Sequence, residues 1–391
     1  MKKSLIFHAI LVIFIGGIVL YTTQASGYDH EFSKVVDNLR RLFILFEVLV
    51  LLRLTLIISR SEIKEKIKNY GVGFCSLLIT LMVMELVFMH IPRSYGKGDV
   101  KILSERLWFA KYWKVNSLGY RDRELDAAFI GSKKKVMVVG DSFVAGHGIE
   151  DPKDRFTDRL QAMLGDQYIV FNLGVNGADT QAAYNKLVNF PLKPDMIVLA
   201  HFTNDIERVP RRTALNIARK PNLLMAGTGT STSGGYLIEN SYLLNYFYNK
   251  FGASEIFSGE KRGVTTKEEL LKPHHRDNYQ SFYLDPEMRQ EHLRNLYQFV
   301  LLSQQEQIPL LALLLPETWD ETIDYSENYV NLPIGAFFKE HGILALDAYN
   351  LFKQTPIQER VVNSNDAHPS ILMHQKIAES LYEAMSSHKL I

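Results

Sequence analysis

The sequence predicts an α/β domain with a mostly parallel sheet between two layers of helices, preceded by about three membrane-spanning helices. Long apolar runs are confined to the first 95 residues, which indicates a membrane region followed by a water-soluble region. From residue 135 onward, short apolar runs alternate with amphipathic segments, the pattern of a parallel sheet covered on both faces.

The composition supports a folded chain of more than one unit. With 391 residues, 47% of them hydrophobic and 22% charged, the chain is long enough for two or three domains with full-sized cores. A formal net charge of +1 provides no basic surplus, so we expect no nucleic-acid partner. The single cysteine, Cys75, excludes an intrachain disulfide and any site built from several cysteines.

Three apolar runs, at 5–21, 42–58 and 72–91, are each close to the length that a helix needs to cross a bilayer. Residues 1–95 carry 11 Lys and Arg against 7 Asp and Glu, with basic residues at the start and in the 60–68 linker. The positive-inside rule therefore places both of these segments in the cytoplasm and the large C-terminal part outside it. A cleaved signal peptide at the first run is the alternative, and it also exports the C-terminal part.

Three ionisable residues lie inside the second and third runs: Glu47, Arg53 and Glu85. A charge within hydrocarbon is costly, so we expect these side chains to face the interior of a helix bundle or a partner protein. Mutual pairing or snorkelling, for packing alone, is an equally good interpretation.

The α/β region begins with a buried strand at 136–139 that ends in Gly140. Further strands are predicted at 168–171, 196–200 and 309–315. Amphipathic helices are predicted at 156–164, 180–188, 286–304 and 371–385. In an open parallel sheet, functional groups collect in the crevice at the carboxyl ends of the strands.

Polar motifs stand where the first three of these strands end. Ser142 follows the first strand, Gly177 the second and Asn204 the third, while Asp366 and His368 precede the last helix. A serine on a strand-to-helix turn can attack an ester if a histidine takes its proton and a carboxylate orients that histidine. The backbone N–H groups of Ser142 and Gly177 and the side-chain amide of Asn204 can supply an oxyanion hole.

This ordered set of motifs resembles the SGNH (GDSL-type) hydrolase superfamily, over residues 135–391. The resemblance implies a flavodoxin-like three-layer fold, Ser142 as nucleophile, and Asp366 and His368 as the other triad members. It also implies an oxyanion hole made by Ser142, Gly177 and Asn204. The chain departs from the pattern at Phe202, where the family often has glycine, and in the Asp–His spacing, which is two residues instead of three.

The spacing of 164 residues between Asn204 and His368 is long for a compact member of this family, which predicts an insertion at 207–284. We therefore divide the chain into a membrane region (1–95), a lead-in (96–134) and the hydrolase-like domain (135–391). An aromatic helix is predicted at 236–251 within the insertion. Its aromatic side chains either pack in a core or contact a sugar or lipid; they are Tyr242, Tyr246, Phe247, Tyr248 and Phe251.

Other candidates are weaker. His201 reads as a strand-end histidine satisfied by its neighbours, and His147 more as a structural residue than as part of the site. The pair His274–His275 with Asp277 lacks a metal-ligand framework, and the Gly-rich segment at 227–235 lacks the ending of a phosphate-binding loop. We predict no cofactor and no metal.

The sequence thus favours a multi-pass protein of the cytoplasmic membrane with its catalytic domain outside the cytoplasm. It predicts a serine esterase, or an O-acyltransferase using the same acyl-serine intermediate, acting on an ester-bearing glycan or lipid. Related membrane proteins suggest a multispanning acyltransferase as a partner. The alternative, from a different class, is a catalytically silent module that binds glycan or scaffolds an envelope complex.

Overall fold

A computed structural model describes residues 50, 65–96, 102–206, 238, 241–252, 282–318 and 326–391. The chain divides into two compact units. Among the described residues, one unit contains 65–93, 102–107 and 241–252. The other contains 94–96, 108–206, 282–318 and 326–391. Most of the predicted lead-in, from Trp108 onward, therefore belongs to the same unit as the sheet.

In chain order the strands are β1 (Lys134–Gly140), β2 (Tyr168–Gly174), β3 (Met196–His201), β4 (Leu310–Leu314), β5 (Leu344–Asp347), β6 (Val361–Asn363) and β7 (Asp366–Pro369). The helices are α1 (Glu65–Phe88), α2 (Leu103–Tyr112), α3 (Ala127–Ile130), α4 (Ser142–Ala145), α5 (Phe156–Leu164), α6 (Thr180–Val188), α7 (Tyr242–Gly252), α8 (Pro286–Glu306), α9 (Leu332–Glu340), α10 (Tyr349–Lys353), α11 (Ile357–Arg360) and α12 (Ile371–Ser387).

The first five strands form one parallel sheet in the order β2-β1-β3-β4-β5. This confirms the predicted α/β class with a parallel sheet. The first four strands lie where the apolar runs predict them, whereas β5 was not predicted. This strand is four residues long and only half-buried at the edge of the sheet, so it lacks the apolar run that marks a buried strand.

The apolar strands are buried on both faces, which produces two cores. Met137 and Val139 point to one face of β1, where they join a cluster that includes residues of α6 and α8. Val136 and Val138 point to the other face and pack with residues of α5 and α12. Alternate residues of a strand face opposite sides, so a continuous apolar run fills both layers.

The helices that cover the sheet begin at side-chain caps. Asp179 caps α6 by accepting a hydrogen bond from Ala182 N, and Asp285 caps α8, which has proline at its first position. Ser370 caps α12 through Met373 N. These residue types satisfy backbone N–H groups that have no partner within the helix, which explains why α6, α8 and α12 begin at the predicted residues.

The other unit contains α1 and α7. Glu85 caps α7: its carboxylate accepts hydrogen bonds from Ser241 Oγ (2.8 Å), Leu243 N (3.1 Å) and Tyr242 N. Aromatic rings of α7 pack on Phe88, with centroid distances of 4.8 Å to Tyr246 and 5.3 Å to Phe247. Packing thus accounts for these two aromatic residues.

The structure describes residue 50 and residues 65–95 of the predicted membrane region. The third apolar run falls largely on α1, whereas the first two runs, with Glu47 and Arg53, lie outside the described residues. Within the part of the chain that the structure describes, no helix is long and apolar enough to span a bilayer. Most of the predicted insertion, including 227–235 and His274–His275, also lies outside the described residues.

Candidate active site

Ser142 is the first residue of α4. It follows the last residue of β1, Gly140, and the helix cap, Asp141. The Asp141 carboxylate caps this short helix by accepting a hydrogen bond from Phe143 N at 2.9 Å. On β2, Asn172 Nδ2 donates to Val144 O at 2.6 Å. The turn is therefore fixed by one side chain that follows β1 and by one on the neighbouring strand β2. Ser142 is 8% exposed.

Arg121 holds the chain that follows Ser142. Its guanidinium donates to Gly146 O at 2.6 Å, to Ile149 O at 2.5 Å and to Ala145 O at 3.3 Å. Burial, and secondarily the charge of Arg155, lowers the pKa of Arg121 to about 10, so it stays protonated at neutral pH. A buried cation thus donates charge-assisted hydrogen bonds to three carbonyl groups, of which Gly146 O also accepts a hydrogen bond from Ile149 N at 3.1 Å.

The β6–β7 hairpin brings His368 to Ser142. His368 Nε2 lies 2.8 Å from Ser142 Oγ, and His368 Nδ1 lies 2.6 Å from Asp366 Oδ1. The same Asp366 oxygen accepts a hydrogen bond from the His368 backbone N–H at 3.0 Å. A spacing of two residues thus lets one carboxylate oxygen bind both the backbone and the ring of His368, which is the local geometry that Asp favours.

The Asp366 carboxylate is fully buried. Burial by itself raises the pKa of this carboxyl. The charge of His368, the hydrogen bond from its ring, the charge of His147 and the Ser94 hydroxyl together hold the pKa below its usual range. Asp366 is therefore ionised at neutral pH. It fixes the tautomer of His368 with Nδ1 protonated and Nε2 facing Ser142.

His147 lies against the candidate base, whereas the sequence favoured a structural role for it over a place in the site. Its ring stacks on His368 with a centroid distance of 4.3 Å and an interplanar angle of 6°. The other side of His147 stacks on Trp108 at 5.4 Å and 7°, and Asn176 Nδ2 lies 3.2 Å from its Nδ1. The His368 ring is thus supported by a layered stack.

The ligand atoms of His147, Asp366 and His368 lie within 4.8 Å of one another, close enough to raise the question of a metal. Imidazole binds a metal through a lone pair in the plane of its ring. Because the two rings are stacked almost parallel, their lone pairs lie in separate planes and do not meet at one ion. The hydrogen bonds from His368 to Asp366 and to Ser142 explain the cluster instead.

The two other predicted oxyanion-hole residues lie beyond the carboxyl ends of β2 and β3, the strands on either side of β1. Gly177 stands in the loop after β2, with φ of +67° and open space in the direction of a side chain. Asn204 stands in the 3-10 turn after β3 (Thr203–Ile206). Burial raises the pKa of the Asp141 carboxyl, and the side-chain amide of Asn204 acts against this rise, so Asn204 influences the residue that precedes the serine.

The structure gives a physical account of Phe202, which departs from the family pattern. Its ring stacks on Phe143 with a centroid distance of 4.1 Å, and Phe143 in turn lies 5.5 Å from the His368 ring. Phe202 therefore fills space against Phe143, the residue after Ser142, that a glycine would leave open.

His201 is fully buried at the end of β3 and contacts two neighbouring polar side chains. Its Nε2 lies 2.9 Å from His292 Nε2 and 3.4 Å from the Tyr283 hydroxyl. Burial lowers the pKa of His201 to about 3, so the ring is neutral at neutral pH.

Three residues at the site went unrecognised in the sequence. Ser94 and Trp108 precede the first strand, and Arg121 was noted only within the lead-in. Ser94 contacts Asp366 across 272 positions of chain, a separation that no local pattern reveals. Arg121 could have been suspected from the sequence. It ends the segment Asn116–Arg121, in which Asn, Ser and Gly are residue types typical of a turn.

Comparisons with known proteins give structural likenesses only. No protein-family model matches the sequence, and no curated protein matches it. The chain is similar to the structure of TesA, with a TM-score of 0.39, 14% identity, and coverage of 65% of this chain and 99% of that one. It is also similar to a lipolytic protein of the G-D-S-L family from Desulfitobacterium hafniense (TM-score 0.37, 14% identity, 64% and 99% covered).

A third similar structure is a carbohydrate acetylesterase family member from Sinorhizobium meliloti (TM-score 0.33, 14% identity, 65% and 98% covered). All three TM-scores lie below 0.5, so these likenesses carry no weight for the chemistry of this chain. The function is therefore inferred from the motifs and the side-chain geometry of the site.

Proposed function

We propose that this protein is a serine ester hydrolase, or an O-acyltransferase, that works through an acyl-Ser142 intermediate. The observation that carries the proposal is a continuous hydrogen-bonded chain. Ser142 Oγ lies 2.8 Å from His368 Nε2, and His368 Nδ1 lies 2.6 Å from a buried, ionised Asp366. A nucleophile, a base and a group that orients the base, each within hydrogen-bond reach, form the minimal machinery for acyl transfer.

In the first half-reaction His368 Nε2 takes the proton of Ser142 as Oγ attacks the ester carbonyl. The resulting imidazolium is stabilised by Asp366, which stays ionised. His368 then donates the proton to the leaving alcohol, and the acyl group remains on Ser142. In the second half-reaction an acceptor hydroxyl loses its proton to His368 and attacks the acyl-serine, and the acyl product leaves as Ser142 regains its proton.

Charge develops on the carbonyl oxygen in both half-reactions. We assign its stabilisation to the backbone N–H groups of Ser142 and Gly177 and to the amide of Asn204. The effect of the Asn204 amide on the pKa of Asp141 supports this assignment, because Asp141 immediately precedes Ser142.

The acceptor decides whether the enzyme is an esterase or a transferase, and every group named above serves both. A water molecule gives hydrolysis, and a sugar hydroxyl gives O-acylation. We propose an ester-bearing glycan or lipid outside the cytoplasm as the substrate. The apolar runs and the basic residues of the first 95 positions support a membrane-anchored protein with this orientation.

We also propose a multispanning acyltransferase as a partner within the membrane. Of the three ionisable residues predicted for the apolar runs, Glu85 is occupied in capping α7. A partner-facing role is therefore left to Glu47 and Arg53.

The test uses the full chain purified in detergent, as wild type and as the Ser142→Ala variant. A fluorophosphonate probe should label the wild type and leave the variant unlabelled, because only an activated serine reacts. The Ser387→Ala variant, which changes an exposed serine of α12, should label like the wild type. An unlabelled wild type would move the assignment to a silent glycan-binding module.

Turnover of p-nitrophenyl esters from acetyl upward, with and without an oligosaccharide acceptor, then defines the reaction. Release of p-nitrophenol that requires Ser142 and does not change when the oligosaccharide is added indicates an esterase. Acylated oligosaccharide indicates a transferase. Full activity in a folded Ser142→Ala protein would overturn the proposal.

A further inference from the structure

The segment Ser94–Gly96 lies against the Asp366 carboxylate, although it precedes the sheet by about forty residues. The Ser94 hydroxyl donates a hydrogen bond to Asp366 Oδ2, the oxygen that His368 does not use. Asn363 Nδ2, on β6, donates to the Ser94 backbone oxygen at 3.0 Å. Ser94 is thus tied to both strands of the hairpin that carries the base.

The segment also closes the space around the triad acid. Gly96 has a φ of +66°, and a Cβ added there would overlap Asp366 Oδ1 and stand 3.0 Å from His368 Nδ1. On the other side, a Cβ added at Gly148 would stand 2.9 Å from Asp366 Oδ2. The backbone therefore approaches the Asp366–His368 hydrogen bond so closely that only glycine fits at either position.

A buried carboxylate needs donors on both oxygens if it is to stay ionised and in one orientation. The backbone and ring of His368 supply those on Oδ1, and Ser94 supplies one on Oδ2. The titratable groups that face Asp366 are His368 from its own strand and His147 from the turn after α4. Ser94 is a neutral donor, so it can orient the carboxylate without changing the charge of the site.

We propose that Ser94 is a positioning residue for the triad acid, and that Ser94–Gly96 is a strap that orients Asp366 for its hydrogen bond to His368. This inference rests on the proposed function, because it assigns Ser94 an action through Asp366. Its consequence is that a segment outside the hydrolase-like region recognised in the sequence is required for full turnover.

The test compares Ser94→Ala and Ser94→Thr with the wild type, as full-length proteins in detergent acting on a p-nitrophenyl ester. Removing the hydroxyl costs a hydrogen bond to a charged group, so kcat should fall by roughly 10- to 100-fold. KM should change less than about threefold, because Ser94 does not touch the substrate. Ser94→Thr retains the hydroxyl and should restore kcat to within about threefold of the wild type.

A second pair of variants separates positioning from general damage. In an Asp366→Ala background, Ser94→Ala should lower kcat no further, because its partner is gone. The Ser117→Ala variant, which changes an exposed serine elsewhere in the same unit, should leave kcat unchanged. Gly96→Ala should lower kcat in the same way as Ser94→Ala, by displacing the Asp366 carboxylate.

Thermal unfolding of each variant identifies any that fail to fold. Wild-type kcat in folded Ser94→Ala would overturn the proposed strap. It would also be overturned if Ser94→Ala lowered kcat equally in the wild-type and the Asp366→Ala backgrounds. If Ser142→Ala is inactive in the same assay, the proposed function survives that result. Retained activity in Ser142→Ala would instead refute the proposed function itself.

Discussion

The nucleophile turn and the acid–base hairpin meet at one hydrogen bond, yet they are held in place in different ways. The turn at Ser142 is fixed by groups that lie within residues 121–174: Arg121, Asp141 and Asn172. The hairpin at Asp366 and His368 depends on partners far away in the chain. Ser94 contacts Asp366, and Thr318 Oγ1 donates to Ala367 O.

The difference explains why one half of the site is easier to recognise than the other. A nucleophile fixed by nearby residues leaves a compact signature, a buried strand followed by Gly-Asp-Ser and a helix start. A histidine on a short hairpin leaves only Asp-x-His-Pro, and its supports are scattered over the chain. The hairpin side should therefore be more sensitive to distant changes, and the turn side to changes in its own packing.

Breaking the hairpin side directly should have the largest effect. Replacement of Asp366 by alanine removes the group that fixes the tautomer of His368, so kcat/KM should fall by about 10³- to 10⁴-fold. The measurement is ester turnover together with thermal unfolding. The control is Asp195→Ala, which removes an exposed carboxylate paired with Lys135 and should leave turnover within about twofold. A loss of less than tenfold in folded Asp366→Ala would assign the acid role elsewhere.

The turn side should respond next most strongly, through Arg121. Arg121→Met removes the donors to Ala145, Gly146 and Ile149 and leaves their carbonyl groups buried, which should destabilise the fold by about 2–4 kcal/mol. Denaturant unfolding measures the loss. Arg159→Met, which breaks a partly exposed ion pair with Asp154, should cost less than about 1 kcal/mol. Equal losses in the two variants would show that Arg121 does not clamp the turn.

A smaller effect is expected from Gly174→Ala, which tests how closely β2 packs against the nucleophile turn. In Gly174→Ala the new Cβ would stand 2.7 Å from the carbonyl carbon of Val144, so the turn must shift. We expect a loss of roughly 1–3 kcal/mol and a reduced rate of fluorophosphonate labelling. Gly335→Ala, on α9, is the matched control. A methyl group there would stand 3.4 Å from Leu314 Cδ1, which is an ordinary contact distance. Wild-type labelling in Gly174→Ala would refute the close contact.

At neutral pH the smallest effect is expected at His374 on α12, whose contribution to stability emerges only on acid titration. Its Nδ1 accepts a hydrogen bond from Phe156 N at 3.1 Å, so the ring is neutral. Burial, with the charge of Arg155 next, lowers its pKa to about 3. Between pH 6.5 and 3 the unfolded chain binds a proton there that the folded protein does not, so stability falls as the pH falls.

His374→Asn keeps an acceptor for Phe156 and removes this titration. The slope of unfolding free energy against pH should therefore decrease by up to ~1.4 kcal/mol per pH unit in that window. Above pH 7 the profiles of the variant and the wild type should run parallel. Denaturant unfolding at a series of pH values provides the measurement. An unchanged slope below pH 6 would mean that His374 does not stay neutral in the folded state.

Much of the fold follows from local patterns. The apolar runs of β1 to β4 and the caps at Asp179, Asp285 and Ser370 mark their elements clearly, because burial and helix capping impose particular residue types. The edge strand β5 carried no such pattern, since half of its surface is exposed. Glu85 was read as a candidate for the bundle interior or a partner, whereas it caps α7, whose first residue lies 157 positions away.

By itself, the sequence determined the α/β class and the strand ends that carry Ser142, Gly177 and Asn204. These strand ends could be expected to meet because parallel strands present their carboxyl ends at one edge of the sheet. The sequence also marked Asp366 and His368 as candidates, because a nucleophilic serine needs a base and a carboxylate that orients the base. Only the tertiary structure decided which distant groups complete the site. Ser94 on Asp366, Trp108 and His147 stacked beside His368, and Arg121 beneath the turn are contacts between segments far apart in sequence. Such contacts follow from the packing of the whole chain and leave no periodic trace in any one segment.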